Sequence, residues 1–336
     1  MNKIEDLSQI YPNLPIEIIL FFSKIDTIEG KLKEKKVYEF SEYYSKKYRL
    51  DKLIQPLIIS KVCDILVSHK KLSIIRKEGL DNLSSSYIGF IHEPTLESNV
   101  DLQRNLNHSL SCLLYGFPYI YNEYKKFVLP VEYTDQNNDK SLGTCFLFNG
   151  GIITAKHCIE GAKKIAIKGI EKEMLSTANF YIHKKPLMDI LYINLKEPID
   201  DSILFSENVE ILDEIMTLGY PKIAGYHNFL VAENANVSAR FTVTSGQIAA
   251  LAEDIWIKER LFLITAKIKG GNSGDPIINK NGSVVGVSVN ISSGDGDYDD
   301  LGYGTVIPIK YVIEEIVNTS EKFILDASNT KFVDFE

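Results

Sequence analysis

The sequence predicts a mainly β protein behind an α-helical N-terminal segment, and three observations lead there. In the first hundred residues apolar side chains recur at helical spacing. From about Lys126 they fall instead in short β-branched runs broken by Gly, Asn, Asp and Pro, with no helical stretch between them. The composition supplies a core: 45% of the 336 residues are hydrophobic and 24% charged, ordinary values for a globular chain. Many short strands without intervening helices indicate an all-β sandwich or a pair of barrels. The length suits two domains.

Pro12 and Pro15 punctuate an opening loop, and Pro15 stands where a helix can start, ahead of IEIILFFSKID. Gly30 ends that run, and VYEFSEYYSKKYRL then mixes aromatic and charged residues at helical spacing. Asp51 reads as the N-cap of LDKLIQPLIISKVCDILV, with Leu53, Ile54, Leu57, Ile58, Val62, Ile65 and Leu66 on its apolar face. Pro56 is tolerated there only near the first turn. Residues 70–91 read as a short strand pair or wing, and 98–115 as a further helix. The strands that follow include KFVLPVEYT, SLGTCFLF, GIITA, ILYINL, IMTLGY, LFLITAKI and SVVGVSV, with YVIEEIVN as a closing helix. The expected division is a helical domain over 1–110, a strand-rich domain over 120–318 and a tail over 319–336.

Charge and cysteine usage narrow the partners. A net charge of −8 argues against non-specific attraction to phosphate backbones. Residues 1–100 carry 15 Lys/Arg against 14 Asp/Glu. Their Lys runs at 31–36 and 70–77 therefore read as solvated faces, although helix, helix and wing are compatible with a winged helix. Nucleic acid is not an expected partner. No stretch reaches the ~18 apolar residues of a membrane span. The apolar run Ile16 to Phe22 is interrupted by Glu17 and lacks a small-residue cleavage site. Cys63, Cys112, Cys145 and Cys158 make no disulfide framework. The expectation is a cytoplasmic chain with reduced thiols. No zinc spacing is present. The acidic stretch with Asp295, Asp297 and Asp299 lacks the glycine and closing glutamate of a helix-flanked calcium loop. No metal and no cofactor are expected.

Three segments carry chemistry when taken together. Thr154-Ala155-Lys156-His157-Cys158 follows the apolar run GIIT. Met188-Asp189-Ile190-Leu191-Tyr192-Ile193 sets one acid at the mouth of an apolar strand. Gly270-Gly271-Asn272-Ser273-Gly274-Asp275-Pro276 is a glycine-flanked turn with one serine. A serine hydroxyl needs a base within hydrogen-bond reach, and histidine is the side chain with a suitable pKa. A buried carboxylate fixes the imidazole tautomer. Backbone N–H groups beside the serine hold an oxyanion where glycines permit close approach. Singly, His157 reads as a core histidine, Asp189 as a strand-edge charge and Ser273 as a turn serine. Jointly they read as a nucleophilic site.

These segments resemble those of the trypsin-like (chymotrypsin-fold) serine proteases, in a branch similar to bacterial HtrA and glutamate-specific members. TAKHC resembles their histidine segment, MDILYI their aspartate strand and GGNSGDP their serine loop, and GYGTVIPI matches a closing strand. The resemblance covers roughly residues 126–313, just over half the chain. It implies two six-stranded β-barrels with the site in the cleft between them. His157 would be the general base, Asp189 its orienting partner and Ser273 the nucleophile. The N–H groups of Gly271 and Ser273, flanking Asn272, would form the oxyanion hole. Ser288, Val289 and Asn290 would pair with the substrate backbone. Lys267, near the base of the pocket, would favour an acidic residue before the scissile bond, whereas the acidic run 293–300 argues for a basic peptide.

The sequence departs from the family at two places. Asn272 stands where zymogen-type members have Asp, and no matching activation sequence precedes the barrels. Asp275 replaces a glycine, either as a hydrogen-bond acceptor or as a disturbance of the site. Cys158 matches a family disulfide position, but Cys145 sits about three residues from the usual partner, so both are expected as reduced core thiols. The implied activity is cleavage of protein or peptide substrates; the fusion of a helical domain to a protease expected in the cytoplasm suggests that residues 1–110 gate it, and a regulatory partner would act through them. The alternative is a regulatory or binding protein with a latent or inactive module of the same fold and an N-terminal domain that senses a partner or a nucleic acid.

Overall fold

The computed structural model describes residues 7–24, 27–28, 31–77, 83–89, 99–200, 203–221, 241–268, 270–289 and 303–335. The chain divides into two compact units, Met1–Ile120 and Tyr121–Glu336.

Four helices dominate the first unit: α1 (Leu14–Ser23), α2 (Val37–Lys47), α3 (Pro56–Ser68) and α4 (Val100–Tyr115). Pro15 lies in the first turn of α1, where a missing N–H costs nothing. The apolar run at the N-terminus is a core helix, burying Leu14, Ile16, Ile18, Ile19 and Phe22 against Phe40, Tyr44, Leu66 and Leu110. Glu17 interrupts it for a reason. Its buried carboxylate accepts from Tyr43 at 3.1 Å, Lys47 at 2.6 Å and Tyr48 at 2.8 Å, the compensation a buried charge requires. No helix among the described residues is long and apolar enough to cross a membrane.

The third helix begins later than expected. Its N-cap is Gln55 and Pro56 is its first residue, since proline fits the first turn and disrupts any later one. Asp51 therefore caps nothing, and the buried face is Ile59, Val62, Cys63 and Leu66 while Leu53 and Leu57 are exposed. Leu72–Arg76 pairs antiparallel with Ser86–Gly89, and Asn99 caps α4 by accepting from Leu102 N–H at 2.9 Å.

Two sheets form the second unit. Strands β1 (Val128–Thr134), β2 (Lys140–Phe148), β3 (Gly151–Thr154), β4 (Lys164–Ile167), β5 (Asn179–Ile182) and β6 (Leu191–Asn194) are ordered β5-β6-β3-β2-β1-β4. No pairing among the described residues joins β4 to β5, so these six make a half-barrel. Its core contains Val131, Ile152, Ile165, Leu191 and Ile193. The strands of the second sheet are β7 (Leu204–Phe205), β8 (Glu214–Gly219), β9 (Thr242–Glu253), β10 (Arg260–Ile264), β11 (Pro276–Asn279), β12 (Ser283–Val289) and β13 (Gly304–Pro308). Six of them, β12-β11-β8-β9-β10-β13, close into a barrel through a β12–β13 pairing, with β7 added in parallel on β12. Register shifts at Ile248/Ala250 and Ile277/Ile278 bend the strands that must curve. The fold class, mainly β with N-terminal helices, is the one the sequence predicts, with a half-barrel in place of the first of the two expected barrels.

The expected C-terminal tail is corrected. Phe323–Ile324 pairs with β5 and Lys331–Phe332 lies parallel to β4, so the last segment flanks both edges of the first sheet. Phe332 stacks on Phe180 at 5.5 Å, and this apolar edge contact holds a segment whose short length hid it from periodicity.

Candidate active site

Strand β3 is buried along its whole length and delivers the chain into a single 3-10 turn, Lys156–Cys158. His157 stands on that turn with its side chain 43% exposed. Asp189 lies just ahead of β6, between buried Met188 and Ile190. Because Leu191 pairs with Thr154 across β3 and β6, the acid and the histidine meet at one end of adjacent strands. The carboxylate accepts twice from His157: from the backbone N–H to Oδ1 at 2.9 Å and from Nδ1 to Oδ2 at 2.6 Å. A carboxylate only accepts, so Nδ1 carries the proton and Nε2 is left as the basic nitrogen when the ring is neutral. Burial pushes this imidazole down, but the bond to Asp189 and the Cys158 thiol beyond it push it up, to about 10. Nε2 stands 3.7 Å from Cys158 Sγ.

The serine turn lies between β10 and β11. Asn272 and Ser273 are buried, and Gly271 and Gly274 take φ of 96° and 92°, a region that disfavours any side chain. A Cβ on Gly274 would also stand 2.0 Å from the Thr144 carbonyl oxygen. Thr144, on β2, fastens the turn to the histidine strand. Its N–H donates to Ser273 O at 3.1 Å, its hydroxyl donates to Gly271 O at 3.1 Å, and its carbonyl accepts from Thr154 Oγ1 at 2.8 Å. Sequence reasoning missed Thr144; the only signal was the small pair Gly143-Thr144 inside an apolar strand. Among the described residues no hydrogen bond joins Ser273 Oγ to His157, and neither the Gly271 nor the Ser273 N–H has a backbone acceptor.

Ser288, expected to pair with substrate, is bonded to the serine turn. Its N–H donates to Asp275 O at 2.9 Å, its carbonyl accepts from Gly274 N–H at 2.8 Å, and its hydroxyl donates to Asn272 O. Through these bonds Ser288 holds the serine turn to β12. Val289 is buried and pairs with Thr305. Asn290 and the acidic run 293–300 lie outside the described residues. Lys267 is exposed, and its carbonyl accepts from Thr244 Oγ1 at 3.2 Å; no described contact ties its ammonium to His157 or Ser273.

Cys145 and Cys158 are free and buried, and burial raises the Cys145 thiol well above its ordinary value. Among the described residues no group of three or more His, Cys, Asp or Glu could hold a metal ion.

The family described as the trypsin-like peptidase domain matches residues 143–287, a span that contains His157, Asp189 and Ser273. This part of the chain is a trypsin-like peptidase domain. Its relatives include a probable periplasmic serine endoprotease, DegP-like, of Chlamydia trachomatis, 29% identical over 55% of this chain and 36% of its own. Another, of Buchnera aphidicola, is 30% identical over 49% of this chain and 32% of its own. A probable periplasmic serine protease, do/HhoA-like, of Haemophilus influenzae is 24% identical over 68% of this chain and 53% of its own. The chain thus spans about a third to a half of the length of these relatives. Among solved structures, a Mycobacterium tuberculosis protease in its active form aligns with TM-score 0.45 and 17% identity over 61% of this chain and 86% of its own. A serine endoprotease from Yersinia pestis aligns with TM-score 0.39 and 22% identity over 58% and 63%.

The names of these relatives overturn one expectation. Peptidase domains of this kind are found here in periplasmic endoproteases, so the cytoplasmic placement is withdrawn.

Proposed function

We propose that the chain is a serine endopeptidase whose peptidase domain hydrolyses peptide bonds through His157, Asp189 and Ser273. The observation that carries this reading is the pair of hydrogen bonds that Asp189 accepts from His157 beside a glycine turn that Thr144 holds to the histidine strand. Ser273 Oγ attacks the scissile carbonyl as His157 Nε2 takes its proton, and the histidine returns that proton to the leaving amine. Asp189 keeps the ring in the productive tautomer and stabilises the imidazolium. The Gly271 and Ser273 N–H groups receive the developing oxyanion. Water then resolves the acyl-enzyme. Contacts of this kind are commonly loose before substrate arrives.

The relatives named as endoproteases support protein or peptide substrates. Gating of the peptidase domain by residues 1–110 is part of the same proposal. The test is hydrolysis of an unfolded protein substrate by the full chain and by Ser273→Ala. The variant is expected to lose roughly 10⁴-fold or more in kcat with its thermal midpoint unchanged. Equal turnover by the two proteins would refute the proposal and favour a latent binding module.

A further inference from the structure

Asp275 is the side chain in this region that no step above uses, and its surroundings are unusual. It is fully buried two residues after Ser273. Its Oδ2 accepts from Asn272 Nδ2 and from Thr217 Oγ1, the latter at 3.1 Å. Its own N–H donates to Asn272 O at 3.0 Å. Residues 272 and 275 are therefore joined twice, once through the main chain and once through their side chains. The room for this comes from Gly219 at the end of β8, where a Cβ would lie 1.8 Å from Asp275 Oδ1. That oxygen is buried with no hydrogen-bond partner among the described residues. An orphan polar atom in a packed interior costs free energy, and its retention calls for an explanation.

We infer that Asp275 is a positioning residue for the serine turn: by accepting the Asn272 side-chain amide it fixes the peptide unit that presents the Ser273 N–H. The inference rests on the serine-peptidase reading. Asp275 bonds to Asn272 and Thr217 and to neither His157 nor Ser273, so it acts through the turn. Burial raises its carboxyl well above the ordinary range, against the pull of the neighbouring Asn272, Thr144 and Thr217 side chains. Among the described residues no cation pairs with it. Acceptance of the amide is then the property that matters, and an asparagine carries the same acceptor. The aspartate thus occupies the glycine position of the resembling serine loops as a brace for its neighbour Asn272.

The experiment compares the full chain with Asp275→Asn, Asp275→Ala and Asn272→Ala, measuring kcat and KM on a peptide substrate. Asp275→Ala is expected to lower kcat about 10–100-fold with KM nearly unchanged, the scale of a small misplacement of catalytic groups. Asp275→Asn restores kcat to within about threefold of the parent, and Asp275→Ala adds little to Asn272→Ala because the two act as one unit. Asp275→Ala with parental kcat, Asp275→Asn as damaged as Asp275→Ala, or fully additive losses would each overturn the inference. Should Asp275→Ala not fold, the Asn272 side-chain amide is read by NMR in the parent and in Asp275→Asn. Slow solvent exchange in both supports the brace, and fast exchange in the parent overturns it. A parent with no Ser273-dependent turnover overturns the serine-peptidase reading and this inference together, whereas an active parent matched by Asp275→Ala overturns the role of Asp275 alone.

Discussion

The backbone N–H of Thr144 donates to the carbonyl of Ser273 at 3.1 Å, which ties the serine turn of the closed barrel to the central strand of the half-barrel. Thr144 also bonds Thr154 at the end of the histidine strand. One threonine thus bonds to both the segment that carries His157 and the segment that carries Ser273.

Thr144→Val keeps the shape and removes the hydroxyl. It frees Gly271 O and strips Tyr220 N–H of an acceptor at 2.9 Å. A buried donor left unpaired costs about 1–3 kcal/mol. Chemical denaturation is expected to show that loss, and kcat to fall about tenfold because Gly271 is no longer anchored.

Gly274→Ala forces a Cβ to within 2.0 Å of the Thr144 carbonyl at a φ of +92°. Strain and clash together are expected to cost roughly 2–4 kcal/mol and to abolish turnover. A variant with a parental thermal midpoint and parental kcat would show that the turn is held differently.

The His157–Asp189 pair sets the pH dependence. An imidazolium cannot accept the Ser273 proton, and this ring is raised from 6.5 to about 10. Activity is therefore expected to climb from neutral into alkaline pH. The same pair stabilises the fold below pH 6.5, and that contribution is lost as pH rises through the raised value. Asp189→Asn moves the rising limb of the kcat/KM profile down toward 6.5 and lowers its plateau by about 10⁴-fold. An unchanged limb would show that Asp189 does not set the imidazole.

For Asp275 the sign is that of a raised acid. The groups facing it are Asn272, Thr217, Thr144 and the Tyr220 phenol, itself pushed up to about 12 chiefly by burial. Its contribution to stability is complete below 3.8 and is lost as pH rises toward its raised value. Asp275→Asn has no such titration, so its thermal midpoint relative to the parent is expected to rise between pH 4 and pH 7. A difference independent of pH would mean the carboxyl is not held uncharged.

The strands and the three chemical segments were legible because each obeys a local rule: short β-branched runs between breakers, an acid at a strand mouth, glycines around a serine. What escaped was non-local. Pro56 moved a helix start by the geometry of its own ring, and the C-terminal strands of two residues each carry no periodicity. Ser288 was read as a substrate strand, and its bonds to Gly274 and Asp275 tie that strand to the serine turn. Thr144 and the Asn272–Asp275 brace depend on strands that meet only in three dimensions. Asp275 was visible as a departure from the family pattern, and its meaning came only with the carboxyl seen against Gly219.

The most direct test of the account is fluorophosphonate labelling of the full chain followed by peptide mapping. The account predicts one adduct, on Ser273, absent from Ser273→Ala and slowed in His157→Ala. No adduct on the folded parent, or an adduct on another residue, would contradict it.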